Sequence, residues 1–414
     1  MDSYIWLREK SLAVLQKAYP QIGDDTGHFE RVVVEPTRDA AHGDCAINAA
    51  LVLAKPLQMK PREIAEQLCN GLGTDDHILS AEIAGPGFVN IRLSQEFWLD
   101  VLTDIIAKKQ DYGNLTMGAG ALVNVEYVSA NPTGPLHVGH TRGAVVGDAL
   151  ASLLTKAGYQ VMREYYVNDA GSQIATLAQS SWHRYLQALG EDVGDIAKGL
   201  YPGEYLIKVG QDLANLHGDK LRALPKEEAI TLVGRFCVDA MMDLIRQGLE
   251  KIQVRHDIFS HESAIVAAGQ VDKAIARLQE AGAVYKGALE KPKGSDDKEW
   301  LERTQLLFRS TQYGDDQDRA LQKHDGSWTY FAPDIAYHYD KYCRGFHRQI
   351  NILGADHSGY AKRIQAATNV ASGGEATLEI LLCNIVRLLQ GGQVAKMSKR
   401  AGTFVTLDDF PHVH

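Results

Sequence analysis

A chain of 414 residues with 45% hydrophobic content, 23% charge and a net charge of −9 is long enough for two or three domains with cores of their own, and it is too acidic to grip nucleic acid by bulk positive charge. No run of eighteen or more uncharged apolar residues and no basic-then-apolar leader occurs, so a cytoplasmic protein without a membrane segment is expected. The five cysteines, Cys45, Cys69, Cys237, Cys343 and Cys383, are odd in number and form no C-x-x-C pair, which argues against a disulfide framework or a structural zinc site and for buried free thiols.

In chain order, Ile5, Leu7, Leu12, Leu15 and Ala18 recur at roughly helical spacing, and Pro61 opens a second helix whose apolar stripe runs through Ile64, Ala65 and Leu68. Residues 81–84 and 87–93 read as strands, which makes residues 1–115 a small α+β domain. Alternation along the second of these strands puts Phe88 and Asn90 on one face. Residues 111–120 form a polar, glycine-bearing link. Beyond it, residues 121–128 read as a strand, 137–156 as a helix closed by Gly158, and 159–167 as a second strand. Such a βαβ unit implies a parallel sheet whose ligands bind beyond the strand ends, so the loop 129–134 and the first helical turn should line a nucleotide-sized crevice. His137 and His140 share a face of that turn, where imidazole N–H groups can join the helix N-terminus in holding phosphate, and Gly139 leaves the face open for a flat ring. An isolated H-x-x-H is more often a pair of surface histidines; its place directly after a strand favours the phosphate role.

Roughly residues 170–320 carry helical patterning, with the charged run 290–298 as a solvated hairpin tip. Residues 349–353 read as another strand, so Asp356 and His357 fall at its end, where a ribose or phosphate contact and a turn-closing role are both open. Near the end, Lys396, Met397, Ser398 and Lys399 form a basic loop after a Gly391-Gly392 turn, able to close over the β- and γ-phosphates of a nucleotide.

His137-Val138-Gly139-His140 followed by Lys396-Met397-Ser398-Lys399 resembles the two signatures of class I aminoacyl-tRNA synthetases. The longer run Val125-Glu126-Tyr127-Val128-Ser129-Ala130-Asn131-Pro132-Thr133-Gly134-Pro135-Leu136, with Thr141-Arg142-Gly143-Ala144 after the motif, resembles the bacterial arginyl-tRNA synthetases, as do His42-Gly43-Asp44 and Gly85-Pro86-Gly87-Phe88. The resemblance spans essentially the whole chain. It implies an α/β fold: an N-terminal α+β domain that contacts the tRNA elbow, then a Rossmann-type catalytic domain over 116–414 with a helical insertion at roughly 170–320.

The activity it implies is arginine–tRNA ligation, in which L-arginine and ATP, with Mg2+ accompanying the ATP and no protein-bound metal, give arginyl-adenylate for transfer to the 2′-hydroxyl of the terminal adenosine of tRNA(Arg). His137, His140, Lys396 and Lys399 would be catalytic, and Gly134, Gly139, Asp356, His357, Met397 and Ser398 would complete the ATP site. Glu126, Ser129, Asn131, His137, Tyr330 and Asp334 would bind arginine, with the carboxylates of Glu126 and Asp334 forking the guanidinium and Asn131 holding the α-amino or carboxylate end. The alternatives are that Glu126 pairs with a surface base and that Asp334 caps a helix. Phe88 and Asn90 would stack on and read an unstacked tRNA base, against the alternative that Phe88 is core. Family members continue into a helical anticodon-binding bundle, so a chain ending at His414 is expected to lack that domain, to charge tRNA poorly and to act as a monomer.

Overall fold

The computed structural model describes residues 3–23, 26–289, 304–384, 386, 389–390 and 393–394. The chain divides into two compact units, Met1–Asn114 and Leu115–His414.

In the first unit the order is α1 (Ser3–Ala18), α2 (Thr26–Phe29), β1 (Val34–Pro36), β2 (Cys45–Ile47), α3 (Ala49–Leu57), α4 (Pro61–Leu72), β3 (Ile78–Ala84), β4 (Phe88–Leu93) and α5 (Gln95–Lys108). The four strands form an antiparallel sheet in the order β1-β2-β4-β3. Helix α1 buries Leu7, Ser11, Leu12 and Leu15, whereas Ile5 is 47% exposed and Ala18 is exposed, so the expected stripe holds at Leu7, Leu12 and Leu15 and fails at its two ends. In β4, Val89, Ile91 and Leu93 enter the core, and Phe88, Asn90 and Arg92 take the opposite face. Phe88 is 41% exposed and is therefore not a core residue.

The second unit begins with β5 (Leu122–Glu126), α6 (Val138–Lys156), β6 (Gln160–Val167), α7 (Ser172–Ala188), α8 (Tyr205–His217) and α9 (Lys226–Lys251). It continues with β7 (Ile258–His261), α10 (Glu262–Ala267), α11 (Gln270–Glu280), β8 (Val284–Gly287), β9 (Gln305–Phe308), β10 (Arg319–Ala320), α12 (Phe331–Cys343), β11 (Arg348–Gly354), α13 (Ser358–Ala371) and β12 (Thr377–Cys383). Five strands form a wholly parallel sheet in the order β12-β11-β5-β6-β7. The chain enters at its centre, winds out through β6 and β7, then returns to the other side of β5. That reversal makes the β5/β11 boundary the topological switch point, where ligands of open α/β sheets bind.

The stretch 170–320 is not helical throughout. Helices α7, α8 and α9 share a core of their own that includes Leu177, Tyr185, Leu213, Val233 and Met241. The chain then re-enters the main sheet as β7, and β8, β9 and β10 form a small antiparallel sheet. Strands this short carry too few periods for the sequence pattern to reveal them. The run 290–298 lies outside the described residues.

Helix α12 is fastened to the underside of the main sheet by polar bonds between buried and half-buried groups. Lys341, wholly buried, places Nζ 2.7 Å from Glu126 Oε2 and 3.3 Å from Asn351 Oδ1. Arg344 forks the buried Glu164 carboxylate at 2.9 and 3.0 Å. His338 pairs through Nδ1 with Gln349 at 2.8 Å, and burial first, then the Lys341 charge, pushes its pKa down to about 3, so it stays neutral. Above the sheet, a Cβ at Gly147 would lie 2.2 Å from the Tyr127 ring, so only glycine lets α6 approach β5 this closely. Of the cysteines, Cys45 and Cys237 are buried, Cys69 and Cys383 partly so, and Cys343 is exposed, contrary to the expectation of uniformly buried thiols.

Candidate active site

A cavity of about 520 Å3 opens at the switch point. Val128, Ser129 and Asn131 line it after β5, and His137, Gly139, His140 and Arg142 from the start of α6. Gly354, Asp356 and His357 contribute after β11, and Cys383 and Asn384 after β12. The expected crevice is thus built from the ends of three parallel strands.

His137 is the N-cap of α6, where it occupies extended backbone, and its Nδ1 accepts the Gly139 N–H at 3.1 Å. In return, His140 Nδ1 accepts the His137 N–H at 3.2 Å. The two imidazoles stack with centroids 3.8 Å apart. This is a capping box built from histidines. With both Nδ1 atoms accepting, the ring N–H of each histidine belongs on Nε2, beside a helix N-terminus. A Cβ at Gly139 would meet the His137 ring at 2.8 Å, so the protein's own imidazole packs against this position, which also lines the cavity. Gly134 does not line the cavity. It is buried, with its Cβ position 3.0 Å from the Tyr205 ring, whose hydroxyl donates to Thr133 O at 2.7 Å, so it packs the loop from behind. Asp356 and His357 do line the cavity, exposed by 65% and 56%, with His357 Nε2 3.6 Å from Asp356 Oδ2. The Arg142 guanidinium donates to Asn384 O at 2.9 Å, tying the start of α6 to the end of β12.

The acids expected to fork a guanidinium part company. Glu126 is committed to Lys341 on one oxygen and accepts the Ser129 hydroxyl on the other at 3.0 Å, so its charge is neutralised from within rather than by a surface base. Asp334 does not cap α12; the N-cap is Tyr330, with no side-chain capping bond. Asp334 instead accepts the Tyr360 hydroxyl. Burial above all, then repulsion from Glu262 and Glu126, pushes its pKa up to about 7, against the lowering effect of the Tyr360 bond. Burial likewise raises Glu262. The Tyr166 hydroxyl lies in the field of Asp334 and Glu262, and its ring stacks on Tyr337 at 4.2 Å. Tyr330 is 68% exposed, with its ring centroid 6.0 Å from that of Tyr360. Asn131 donates to Gln173 at 3.1 Å.

Glu262, Tyr166 and Tyr360 were not singled out by sequence. The usable signal for Glu262 was its position directly after a strand, but β7 is too short to be seen. Lys396, Met397, Ser398 and Lys399 lie outside the described residues. Phe88 and Asn90, in the first unit, share the outward face of β4 as alternation required.

Against known families, residues 8–93 match the arginyl tRNA synthetase N terminal domain, and residues 101–200 match the catalytic domain of class I (R) tRNA synthetases. The arginine–tRNA ligase of Rhizobium meliloti (strain 1021) is 54% identical over 383 residues, covering 92% of this chain and 66% of that protein. The arginine–tRNA ligase of Ruegeria sp. (strain TM1040) is 55% identical over 381 residues, with the same coverage of 92% and 66%. The chain thus spans 66% of the length of these curated relatives. Thermus thermophilus arginyl-tRNA synthetase shares the fold, with a TM-score of 0.62 at 23% identity over 96% of this chain and 67% of that one. With two family models met in order and such identity across nearly all of its length, the chain belongs to the arginyl-tRNA synthetase family of class I synthetases.

Proposed function

We infer that the chain activates L-arginine with ATP and passes the arginyl group to tRNA(Arg). The observation that carries this reading is the switch-point cavity headed by His137 and His140 and lined by Ser129 and Asn131; the same unit also buries Asp334 within the repulsive field of Glu262 and Glu126. A planar guanidinium supplies the opposite charge and can be forked by Asp334 and Glu262. Glu126, held by Lys341 and Ser129, then serves the α-ammonium end with Asn131. The arginine carboxylate attacks the α-phosphate, the bond to the β-phosphate breaks, and pyrophosphate leaves. The Nε2–H donors of His137 and His140 stabilise the charge that develops on the phosphates. The 2′-hydroxyl of the terminal adenosine next attacks the arginyl carbonyl, and AMP leaves with the proton passed to its phosphate or to solvent. Asp356 and His357 face the nucleoside portion.

Magnesium is proposed to arrive on the triphosphate; among the described residues no group of three or more His, Cys, Asp or Glu is placed to hold a metal ion. Also among them, no helix is long and apolar enough to cross a membrane. A cytoplasmic monomer completes the proposal.

Arginine-dependent ATP–pyrophosphate exchange, with and without tRNA(Arg), tests it: exchange is expected, and its absence under both conditions overturns the reading. Replacing Lys396 and Lys399 together by alanine should lower kcat for exchange by about 10²-fold or more while arginine affinity changes little, because their charge acts on the leaving pyrophosphate. A change confined to KM contradicts that role. In the first unit, Asn90→Ala should weaken tRNA(Arg) binding by about 1–2 kcal/mol, the scale of one lost base-edge hydrogen bond, without altering exchange kinetics for arginine and ATP. Unchanged affinity in filter binding removes the assignment.

A further inference from the structure

The segment that joins β5 to the cavity has an unusual backbone. Val128 and Ser129 are consecutive non-glycine residues in the left-handed region, with φ of +70° and +38°, and both line the cavity. A β-branched residue tolerates that region least, because its Cβ substituents crowd the neighbouring carbonyls. Such a conformation persists only where the surroundings over-determine it, and here five hydrogen bonds do so. Ser129 Oγ donates to Glu126 at 3.0 Å and accepts the Tyr166 N–H at 3.1 Å. The Tyr165 hydroxyl donates to Ala130 O at 2.7 Å, and the Ser129 N–H to Tyr127 O at 3.0 Å. His256 Nε2 lies 3.2 Å from Tyr127 O. Burial pushes the His256 pKa down to about 4, so the ring is neutral and available as that donor. Strand β5 thus ends at Glu126, and the chain turns through Val128 and Ser129 into the cavity wall.

We propose that Val128 is a positioning residue: its strained left-handed backbone, clamped by Tyr165, Tyr166 and His256, pre-sets the Val128–Asn131 wall of the cavity in the shape that receives the ligands. This rests on the reading of the cavity as the arginine and ATP site. The clamp costs the fold stability and gains a competent conformation before binding, so relaxing the backbone should lower the competent fraction and weaken apparent affinity by the same factor.

The test compares Val128→Gly with Val128→Ala in the full chain. The two variants lose nearly the same packing and differ in backbone freedom. At ordinary backbone angles alanine is the more stable of the two; in the left-handed region glycine is. Val128→Gly is therefore expected to melt about 2–4 °C above Val128→Ala, yet to show an arginine KM about tenfold higher and faster amide exchange across residues 127–131. Opposite orders of stability and affinity support the proposal. A glycine variant less stable than the alanine variant shows that no strain is stored there, and equal KM values and exchange rates show that the strain does not shape the wall; either overturns it. If the unaltered chain binds neither arginine nor ATP in calorimetry, the functional reading fails instead, and the melting order and amide exchange still decide whether the clamp exists.

Discussion

Asp334→Asn should reduce arginine-dependent pyrophosphate exchange by about 10²–10⁴-fold in kcat/KM while leaving the melting temperature unchanged or higher. Hydrogen bonds to a charged group contribute about 1.5–3 kcal/mol each, and a forked guanidinium makes two of them to the carboxylate. Asparagine keeps an acceptor for the Tyr360 hydroxyl but cannot neutralise a cation, so the loss falls on ligand binding rather than on packing. The Asp334 pKa, lifted from its ordinary 3.8 to about 7, sets the pH dependence. Between about pH 4 and 7 the folded chain binds a proton here that the unfolded chain has released, so this group's contribution to stability declines as pH rises through that window. Arginine affinity runs the other way: the guanidinium requires the carboxylate, so affinity should rise by up to about tenfold per pH unit below 7 and level off above it. In the asparagine variant both slopes should vanish. Calorimetric titrations of arginine from pH 5.5 to 8.5 give the answer, and near-normal exchange or an undiminished slope in the variant would remove Asp334 from the guanidinium site.

That pocket also shows where sequence and structure diverge. The βαβ unit and the capped start of α6 were legible because long strands, a nineteen-residue helix and a glycine stop repeat their signals many times over. Asp334 stood out only because its segment, residues 329–334, resembles the family's arginine-binding stretch. Glu262 did not, since β7 offers four residues of pattern and its meaning depends on pairing with β6 across about a hundred intervening positions. Glu126 shows a related limit of local pattern. Nothing local to β5 announces that Lys341, more than two hundred residues later, will arrive under the sheet to take one of its oxygens. Gly134 and Gly139 teach a similar lesson: each lies in a nucleotide-site motif, and a Cβ at either would press on a protein ring, of Tyr205 and His137 respectively.

The Lys341 pair carries the second large effect. Lys341→Met removes a buried ammonium whose partner, Glu126, is only 5% exposed, and strands that carboxylate beside Asn351 and the Tyr337 ring, over which Nζ sits at 4.3 Å. Breaking one side of a buried ion pair costs about 3–5 kcal/mol, because the remaining charge keeps its desolvation penalty without its partner. The catalytic unit should therefore melt lower by on the order of 10 °C. Adding Glu126→Gln to Lys341→Met removes the stranded charge, and an amide paired with the Ser129 hydroxyl should restore most of the lost stability. Activity should not follow. The double variant lacks the carboxylate proposed for the α-ammonium of arginine, so its arginine KM should remain raised by about tenfold or more although its fold has recovered. The ATP affinity, proposed to depend on the stacked imidazoles rather than on this pair, should stay near that of the unaltered chain. Recovery of stability together with arginine KM would show that Glu126 and Lys341 serve the fold alone. Failure of the second substitution to restore stability would show instead that Lys341 holds α12 to the sheet chiefly through Asn351 and the Tyr337 ring, since those are the bonds the double variant cannot rebuild.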